Sequence, residues 1–390
     1  MISMKRLMIA IAFAVASTTA FGIENQDYNF NVVVQTGQTV DGYPLAAFTP
    51  PAINNLDSII FGGYATIPIA PNVTYFAGLF SPQTHITSYT APTDNPCLAP
   101  YAINDENQIA FVMNNKLSPD EPSVSAVYET TYTGGTVQTL VAAGSVVDGV
   151  TLLGNFCGVE NGNNFAFDDQ GRVAFNDTGG SYRYVPGKGV SKIDPNQGEG
   201  KTIIAVTNDS ARELVFQGNI GSSTSGETGN AIFTHDYVLA KVPEKIEGVE
   251  VASIFETQVA RGGQFVFLGT IGSPTADNWG LFTRDRVVAR SGQKIDGKVI
   301  ETAGAPFFGI PAINSRGEVA FAALTGAGTY PQDLSIFVSD HVLVSVGDTL
   351  AGHTVSVLSD PVMNDFGVIA FLASFTDGTQ AIIQATKRWR

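Results

Sequence analysis

The stretch that decides the fold is "PAINSRGEVAF" (residues 311–321), because the chain repeats it. Altered copies are "PAINNLDSIIF" (51–61), "YAINDENQIAF" (101–111) and "PVMNDFGVIAF" (361–371). Alignment on the last residue of this stretch finds the same position seven times, at Phe61, Phe111, Phe175, Phe216, Phe267, Phe321 and Phe371. A repeat of this length determines the whole architecture, so it has to be interpreted first.

Two further landmarks accompany each copy in a constant order. The second landmark is a short apolar strand followed by Gly or Pro and, five positions later, usually by Gly. Clear copies have Gly37, Gly144, Gly292 and Gly347, and weaker copies have Pro92, Pro195 and Pro243. The third landmark is an apolar-aromatic pair that opens a tight hairpin. It is clear at Phe233, Phe282 and Phe337 and looser at Phe80, Tyr128, Tyr184 and Ile383.

Each unit is predicted to be a meander of four short antiparallel strands. In the sixth unit we expect strands at 299–302 or 308–313, then at 318–324, 334–338 and 342–346. Both faces of "EVAFAAL" (318–324) are apolar, which indicates a strand buried inside a stack of sheets. Stacked four-stranded units of about 50 residues predict an all-β, seven-bladed β-propeller.

The two ends of the repeated region indicate how the ring closes. The seventh unit ends with "QAIIQAT" (380–386) and lacks a last strand, whereas "NFNVVVQTG" (29–37) is a last strand with no unit before it. Pairing the two completes the last blade with an N-terminal strand. An open β-solenoid is the alternative, but it leaves both strands unexplained and sheet edges exposed.

The repeated stretch resembles the inner hairpin of the WD-like propellers of periplasmic Tol-type translocation proteins, which carry Ser-Pro-Asp-Gly where "NSRG" (314–317) stands here. The whole unit is more similar to a group of uncharacterised exported bacterial β-propeller repeat proteins. The likeness covers most of residues 30–386 and implies a propeller and export, but no active site. The fourth unit departs from the pattern by one extra residue in "TNDSARELVF" (207–216), and the fifth has Ala260 where others have Asn or Asp.

The N-terminus predicts export. Lys5 and Arg6 precede a short apolar run and then small residues, which is typical of a secretory signal peptide over residues 1–22. Residues 23–390 are then expected to form one propeller domain, periplasmic or extracellular, with no inserted membrane segment. Removing the signal leaves 19 Lys plus Arg against 36 Asp plus Glu, a net charge near -17. Such an acidic surface argues against nucleic acid as a partner.

The chain has two cysteines, Cys97 and Cys157. In an oxidising compartment the sequence predicts a disulfide between them, with two free buried thiols as the alternative. Two cysteines and four histidines do not match a zinc pattern, and no phosphate-binding or other cofactor motif is present. We therefore expect neither a metal nor a cofactor.

The repeated Asn is a candidate site and a candidate turn residue. It stands at Asn54, Asn104, Asn314 and Asn364, with Asp168 at the equivalent place in the third unit. A polar ring that binds a cation or a sugar is one interpretation. The structural interpretation is favoured because the third residue after each is Gly, Asn or Asp, the residues that tolerate a left-handed backbone. Asn or Asp at the start of such a turn caps it through the side chain.

The variable connections suggest where function lies. The connections after the central strand differ in length and composition, and binding residues are commonly found on such loops above a rigid frame. Tyr182, Trp279 and Tyr330 are candidates to stack on sugars or to pack on a partner. The sequence favours a non-catalytic binding or scaffolding propeller with a protein or glycan partner, and it leaves enzymatic activity undecided. The alternatives are a polysaccharide hydrolase or lyase with carboxylates near the central channel, and a structural subunit of an envelope assembly.

Overall fold

A computed structural model describes most of the chain, and its strands form seven antiparallel sheets around one axis. The described residues are 27–69, 72–89, 100–115, 124–154, 156, 165–177, 180–193, 202–209, 213–220, 229–234, 237–273, 278–302, 307–326 and 330–388. Both cysteines, and therefore the predicted disulfide, lie outside these ranges. No helix within them is long and apolar enough to cross a membrane.

The first strands of the chain belong to the ring closure and to blades 1 to 3. The opening strands are β1 (Tyr28–Gln35) and β2 (Thr39–Val40). Blade 1 contains β3 (Tyr43–Phe48), β4 (Ala52–Ile53), β5 (Ile59–Ile69), β6 (Asn72–Phe80) and β7 (His85–Tyr89). Blade 2 contains β8 (Tyr101–Ile103), β9 (Gln108–Asn115), β10 (Val124–Thr131) and β11 (Gln138–Ala142), and is followed by the hairpin β12 (Val146–Val147) and β13 (Val150–Thr151). Blade 3 contains β14 (Phe165–Phe167), β15 (Val173–Asp177), β16 (Gly180–Val185) and β17 (Gly189–Lys192).

The remaining strands form blades 4 to 7. Blade 4 contains β18 (Thr202–Asp209), β19 (Glu213–Ile220), β20 (Gly229–Phe233) and β21 (Val238–Lys241), and is followed by β22 (Glu244–Ile246) and β23 (Val249–Val251). Blade 5 contains β24 (Phe255–Val259), β25 (Phe265–Thr270), β26 (Trp279–Thr283) and β27 (Val287–Arg290), and is followed by β28 (Lys294–Ile295) and β29 (Lys298–Val299). Blade 6 contains β30 (Phe307–Ile313), β31 (Val319–Leu324), β32 (Leu334–Val338) and β33 (His341–Ser345), and is followed by β34 (Thr349–Leu350). Blade 7 contains β35 (His353–Leu358), β36 (Val362–Met363), β37 (Ile369–Phe375) and β38 (Gln380–Lys387).

The ring is closed as predicted. Strand β1 pairs antiparallel with β38 over the register Tyr28↔Lys387 to Gln35↔Ala381, and so supplies the outer strand of blade 7. The inner strands β4, β8, β14, β18, β24, β30 and β36 contact one another in sequence, and β36 contacts β4. The prediction of a seven-bladed β-propeller with four-stranded antiparallel blades is confirmed, and no sheet edge is left at the junction.

The first and third landmarks are cross-strand partners in the core. Phe321 lies opposite Phe337, and Phe267 lies opposite Phe282, in the two central strands of their blades. Six blades contain such an aromatic pair, with ring centroids 5.1 to 6.2 Å apart. In blade 7 the partner of Phe371 is Ile383. Both faces of β31 are buried, as expected, and the described residues form an apolar cluster at each of the seven blade interfaces.

The second landmark is a small hairpin that links one blade to the next. Its tip needs two consecutive residues with positive φ, as at Asp148 (49°) with Gly149 (79°) and at Asp296 (48°) with Gly297 (87°). This is the type I′ geometry, in which Asp-Gly is preferred. Each hairpin also buries two apolar residues between blades, for example Ile295 and Ile300.

The hairpin tips are tied to the following blade by their acidic residue. The carboxylate of Asp148 accepts a hydrogen bond from Lys192 N (2.8 Å), and that of Glu247 accepts one from Val287 N (3.0 Å). The equivalent bonds of Asp41 to His85 N and of Asp296 to Val342 N are longer, at 3.4 Å each. These bonds hold the hairpins before blades 1, 3, 5 and 6 against the outer strands of those blades, whereas the hairpin before blade 7 has Ala351 at this position.

Candidate functional site

The two ends of the propeller are different in character. We call the end that carries the repeated Asn turns, such as 314–317, the turn face. The opposite end carries the connections between second and third strands, such as 271–278, and the start of each linking hairpin. We call it the loop face. Parts of the predicted variable loops 112–124, 217–230 and 269–279 lie outside the described residues.

On the turn face, the repeated Asn caps its own turn. Asn54 Oδ1 accepts hydrogen bonds from Leu56 N (3.0 Å) and Ser58 N (2.9 Å). The same pair of bonds recurs at Asn104, Asp168, Asn314 and Asn364. The residue three positions later has positive φ in each turn, from 57° at Asn107 to 79° at Gly367. The structural interpretation of the repeated Asn is confirmed by this geometry.

The other end of the same side chain joins neighbouring blades. Asn54 Nδ2 donates to the carbonyl of Asn104 (2.8 Å), and Asn104 Nδ2 donates to that of Asp168 (2.9 Å). Asn364 Nδ2 donates to the carbonyl of Asn54 (3.0 Å) and completes the link from blade 7 to blade 1. Asp168 has no amide to donate, and its carboxylate instead pairs with Arg172 at 2.5 Å. The amide of Asn314 donates to Glu318 Oε2 of its own turn (2.6 Å), so the described links between blades are those of Asn54, Asn104 and Asn364.

In five blades the residue after the turn position lines the mouth of the central channel. These residues are Asn55, Asp105, Asp169, Arg261 and Asp365. Their bonds again run from blade to blade: Asp365 N donates to Asn55 Oδ1 (2.7 Å), Asn55 N to Asp105 Oδ1 (2.8 Å), and Asp105 N to Asp169 Oδ1 (2.9 Å). Arg261, on blade 5, reaches across the mouth to Asp105 (3.0 Å) and Asp169 (2.5 Å) on blades 2 and 3.

The electrostatics of the mouth follow from this crowding. Burial and the neighbouring carboxylate of Asp105 raise the pKa of Asp169, although Arg261 and a backbone N–H act in the opposite direction. Burial alone would lower the pKa of Arg261, but the carboxylates of Asp169, Asp105 and Asp365 raise it. The guanidinium therefore stays charged and neutralises part of the acidic ring.

The mouth offers little open space. The depression that these side chains line has a volume of about 130 Å³, well below the roughly 300–1,000 Å³ of common small-molecule sites. Its polar groups bond to each other and to the turns. No three His, Cys, Asp or Glu side chains of the described residues come close enough together to hold a metal ion.

A larger groove lies along the outer edge of blade 5. Its volume is about 690 Å³. The linking hairpin before the blade forms one wall, and the edge strand β27 with the turn that follows it forms the other. Residues from these elements and from the connection on the loop face line the groove: Glu247, Val249, Ile271, Asn278, Arg290 and Lys294.

The predicted aromatic residues are not brought together. Tyr182 has no exposed surface, and its ring stacks on Phe175 at 5.8 Å. Tyr182, and not Tyr184, lies opposite Phe175 in the register, so assigning the third landmark to Tyr184 was wrong. Tyr182 occupies the place that Phe282 and Phe337 fill in blades 5 and 6. A side chain buried there packs the blade interface and does not reach the surface.

Trp279 and Tyr330 lie on blades 5 and 6. Trp279 is half-buried, and its ring packs against Phe255 at 5.1 Å on the side of the sheet that faces blade 6. Its neighbour Asn278 lines the groove. Tyr330 is 54% exposed in the connection between β31 and β32. The ligand-binding role of these two residues stays a prediction.

Two features of the site did not emerge from the sequence. The fifth unit has Arg261 after the turn position, where other units have Asn55, Asp105, Asp169, Ser315 or Asp365. A comparison of the units at this position would have identified Arg261 as a candidate. The groove exists because a linking hairpin lies beside the edge strand of the next blade. Basic residues at Arg290 and Lys294, where the units with Gly37, Gly144 and Gly347 have neutral ones, were the available signal.

The comparisons with known proteins give structural similarities at low sequence identity. No family model matches the chain, and neither does any curated protein. An oligogalacturonate lyase from Vibrio parahaemolyticus is similar in structure at 10% identity, with a TM-score of 0.48 over 92% of this chain and 96% of the other. The β-propeller domain of the Trilobed protease from Pyrococcus furiosus is similar at 8% identity, with a TM-score of 0.46 over 89% and 95%. The Dos1 propeller is similar at 8% identity, with a TM-score of 0.43 over 92% and 95%.

Proposed function

We propose that the protein is an exported, non-catalytic binding propeller whose ligand or partner binds at the blade-5 groove, next to the loop face. The observation that carries the proposal is the contrast in open volume between the groove and the channel mouth. The groove, at about 690 Å³, falls within the range of ligand sites. The mouth is filled by side chains that are bonded to one another.

The surroundings of the groove support a binding role. Its walls are strands and a hairpin held by ladder bonds, and the connection above it belongs to the most variable part of the repeat. A rigid frame below a variable connection is where binding residues are commonly found. The bond from Val287 N to Glu247 (3.0 Å) fixes the two walls relative to each other, so the groove is formed before a ligand arrives.

A groove-filling substitution tests the proposal. Val249 is half-buried and follows the hairpin tip, and the equivalent residue is Tyr43 in the hairpin before blade 1 and Val150 in the hairpin before blade 3. Val249→Tyr therefore puts a side chain that the repeat tolerates into the groove. Val150→Tyr makes the same change away from the groove and serves as the matched control.

The measurement is crosslinking and pull-down from the native envelope and culture fluid with wild type and both variants. We expect Val249→Tyr to lose the bound ligand or partner while Val150→Tyr keeps it. Equal capture by all three proteins would place binding elsewhere on the propeller.

One observation favours a second candidate, a polysaccharide hydrolase or lyase. Glu256 lies on β24 of blade 5 and Asp360 lies between β35 and β36 of blade 7, each four residues before the turn position. Burial, with the charge of Asp360, raises the pKa of Glu256, and a carboxyl group that holds its proton is suited to general acid catalysis. Asp360, however, accepts a hydrogen bond from Ile310 N (3.2 Å) and so serves the scaffold. Polysaccharide turnover that Glu256→Gln abolishes would favour the enzyme.

A further inference from the structure

The outer edges of blades 4 and 5 carry basic residues at repeat positions that are neutral elsewhere. Equivalent positions are fixed by the turn that follows each outer strand, where Gln293 N bonds to Arg290 O (3.0 Å) and Asp348 N bonds to Ser345 O (3.1 Å). The residues equivalent to Arg290 are Gln35, Ala142 and Ser345, and those equivalent to Lys294 are Thr39, Val146 and Thr349. Blade 4 has Lys241 and Lys245 at these two positions. The scaffold therefore does not require a cation there.

These cations are available to a ligand. Lys241, Lys245, Arg290 and Lys294 are all exposed, and none of them forms an ion pair with another described residue. Arg290 and Lys294 line one wall of the groove, and Lys245 lies on the hairpin that forms the other wall. The mouth differs in this respect, because its Arg261 is already paired with two carboxylates.

Acidic groups in and around the groove do not cancel this charge. Glu247 lines the groove, but its carboxylate is bonded to Val287 N (3.0 Å). Glu250 lies opposite Lys245 in the hairpin register and offsets part of its charge. Arg290 and Lys294 have no such neighbour across the ladder, since Gly280 and Val299 are opposite them. Glu247 and Glu250 thus offset part of the positive charge, and Arg290 and Lys294 are the cations without an acidic residue opposite them.

The basic residues of the groove belong to an acidic protein, whose formal net charge is -15. A long polyanion or a flat anionic membrane would also approach the acidic surface beyond the groove and be repelled, since charges act over about 10 Å at common salt. A short acidic chain lying within the groove would avoid that repulsion. The exposed amide of Asn278 and the donor groups of the half-buried Ser291 and Gln293, whose oxygens accept from Trp279 N and Arg290 N, suit a polyhydroxylated chain.

We infer that the blade-5 groove binds an acidic oligosaccharide, with its carboxylate or sulfate groups on Arg290 and Lys294 and its next charged unit toward Lys245. The inference rests on the proposed function and names the ligand class of the same groove. Arg supplies paired donors to a planar carboxylate, and Lys supplies a point charge to either anion.

Binding of defined saccharides to the mature protein tests the inference. The probes are short polygalacturonate oligomers, which carry carboxylates, dextran sulfate oligomers, which carry sulfates, and neutral dextran oligomers of the same length. Isothermal titration at low and at raised salt gives the affinities. We expect one of the two acidic probes to bind, more weakly as salt rises, and neutral dextran not to bind.

A pair of charge variants makes the test specific. Arg290→Ser with Lys294→Thr installs the blade-6 residues, and Lys188→Ser with Lys192→Thr removes the same charge from exposed sites on blade 3. We expect the first variant to weaken the acidic probe about tenfold, at roughly 0.5–1 kcal/mol for each exposed pair, and the second to leave it unchanged. Thermal unfolding of both variants checks that they are folded.

Several outcomes would overturn the inference. They are equal weakening in both variants, neutral dextran binding as well as the acidic oligomers, and anionic phospholipid vesicles binding more tightly than either acidic saccharide. The inference can fail while the proposed function stands: if neither acidic probe binds but the Val249→Tyr variant still loses its natural ligand, the groove is the site and only the ligand class is wrong.

Discussion

The channel mouth and the blade-5 groove both gather charged side chains, but the two regions use them differently. At the mouth, Arg261 is held between Asp105 and Asp169, and each neighbouring backbone N–H is directed at a side chain of the next blade. In the groove, Arg290 and Lys294 are exposed and have no ion-pair partner among the described residues. Charges that satisfy each other stabilise a fold, whereas unpaired charges on a rigid wall are free to bind.

The largest expected effect is on stability at the turn face. Asn104→Ala removes the acceptor for Glu106 N and Gln108 N and the donor to the carbonyl of Asp168. Because a buried polar group without a partner costs about 1–3 kcal/mol, we expect a loss of about 3 kcal/mol in the free energy of unfolding. Urea denaturation measures it, with the exposed Asn31→Ala as a control expected within about 0.5 kcal/mol of wild type. A loss below 1 kcal/mol for Asn104→Ala, on the order of a surface change, would contradict the structural role assigned to the turn face.

A second prediction concerns the pH dependence of the mouth. The pKa of Asp169 is raised in the fold, so its protonated form favours the folded state and this contribution is lost as pH rises through the folded pKa. Arg261 limits this loss of stability because its positive charge favours the ionised carboxylate of Asp169, and Arg261→Gln removes that charge. Since Arg261 is partly exposed, we expect destabilisation of about 1 kcal/mol at neutral pH and less at an acidic pH below the raised pKa of Asp169. A difference of the same size at both pH values would show that the ion pairs are not its source.

A third prediction tests whether Tyr182, which the sequence predicts as a ligand-binding residue, belongs to the core or to the binding surface. Its hydroxyl is buried and has no hydrogen-bond partner among the described residues. Tyr182→Phe installs the residue of blades 5 and 6, so we expect unchanged or slightly higher stability, by about 1 kcal/mol at most. Ligand capture should not change. Reduced ligand capture with unchanged stability would show that Tyr182 contributes to ligand binding.

The linking hairpins provide the smallest and sharpest comparison. Ala351 has a φ of 53° at the tip position that Asp41, Asp148 and Asp296 occupy in other hairpins. Ala351→Asp introduces a residue that adopts this conformation readily and adds an acceptor facing the outer strand of blade 7. We expect a gain of about 0.5–1 kcal/mol, measured by thermal unfolding. Asp296→Ala should give the opposite change, and a destabilising Ala351→Asp would contradict the role assigned to the tip acid.

Much of the fold is predictable because the repeat encodes each blade locally. In blade 6 the predicted strand at 334–338 coincides with β32. The predicted strands at 308–313 and 318–324 differ from β30 and β31 by one residue at one end, and the strand predicted at 342–346 is shifted by one residue from β33. The turn role of the repeated Asn was also accessible, because capping and a left-handed residue three positions later are properties of a short segment. Residues 299–302, the other option for the first strand, belong partly to the hairpin strand β29.

Contacts between units were not accessible in the same way. The Asn54 amide bonds to a carbonyl 50 residues away, and Arg261 reaches Asp105 156 residues away. Such partners depend on how the blades are placed around the axis. The error at Tyr182 has a local cause. The residue opposite Phe175 is Tyr182, two positions before the predicted landmark at Tyr184. Because a shift of two residues keeps side chains on the same side of the sheet, the alternation of apolar residues could not distinguish the two registers.

The most direct test of the central claim is a lysine-reactivity footprint of the mature protein, with and without ligand captured from the native envelope or culture fluid. The account predicts that binding protects Lys241, Lys245 and Lys294, while Lys188, Lys192 and Lys387 stay reactive. Protection of Lys188 and Lys192 with unchanged reactivity at Lys245 and Lys294 would contradict it.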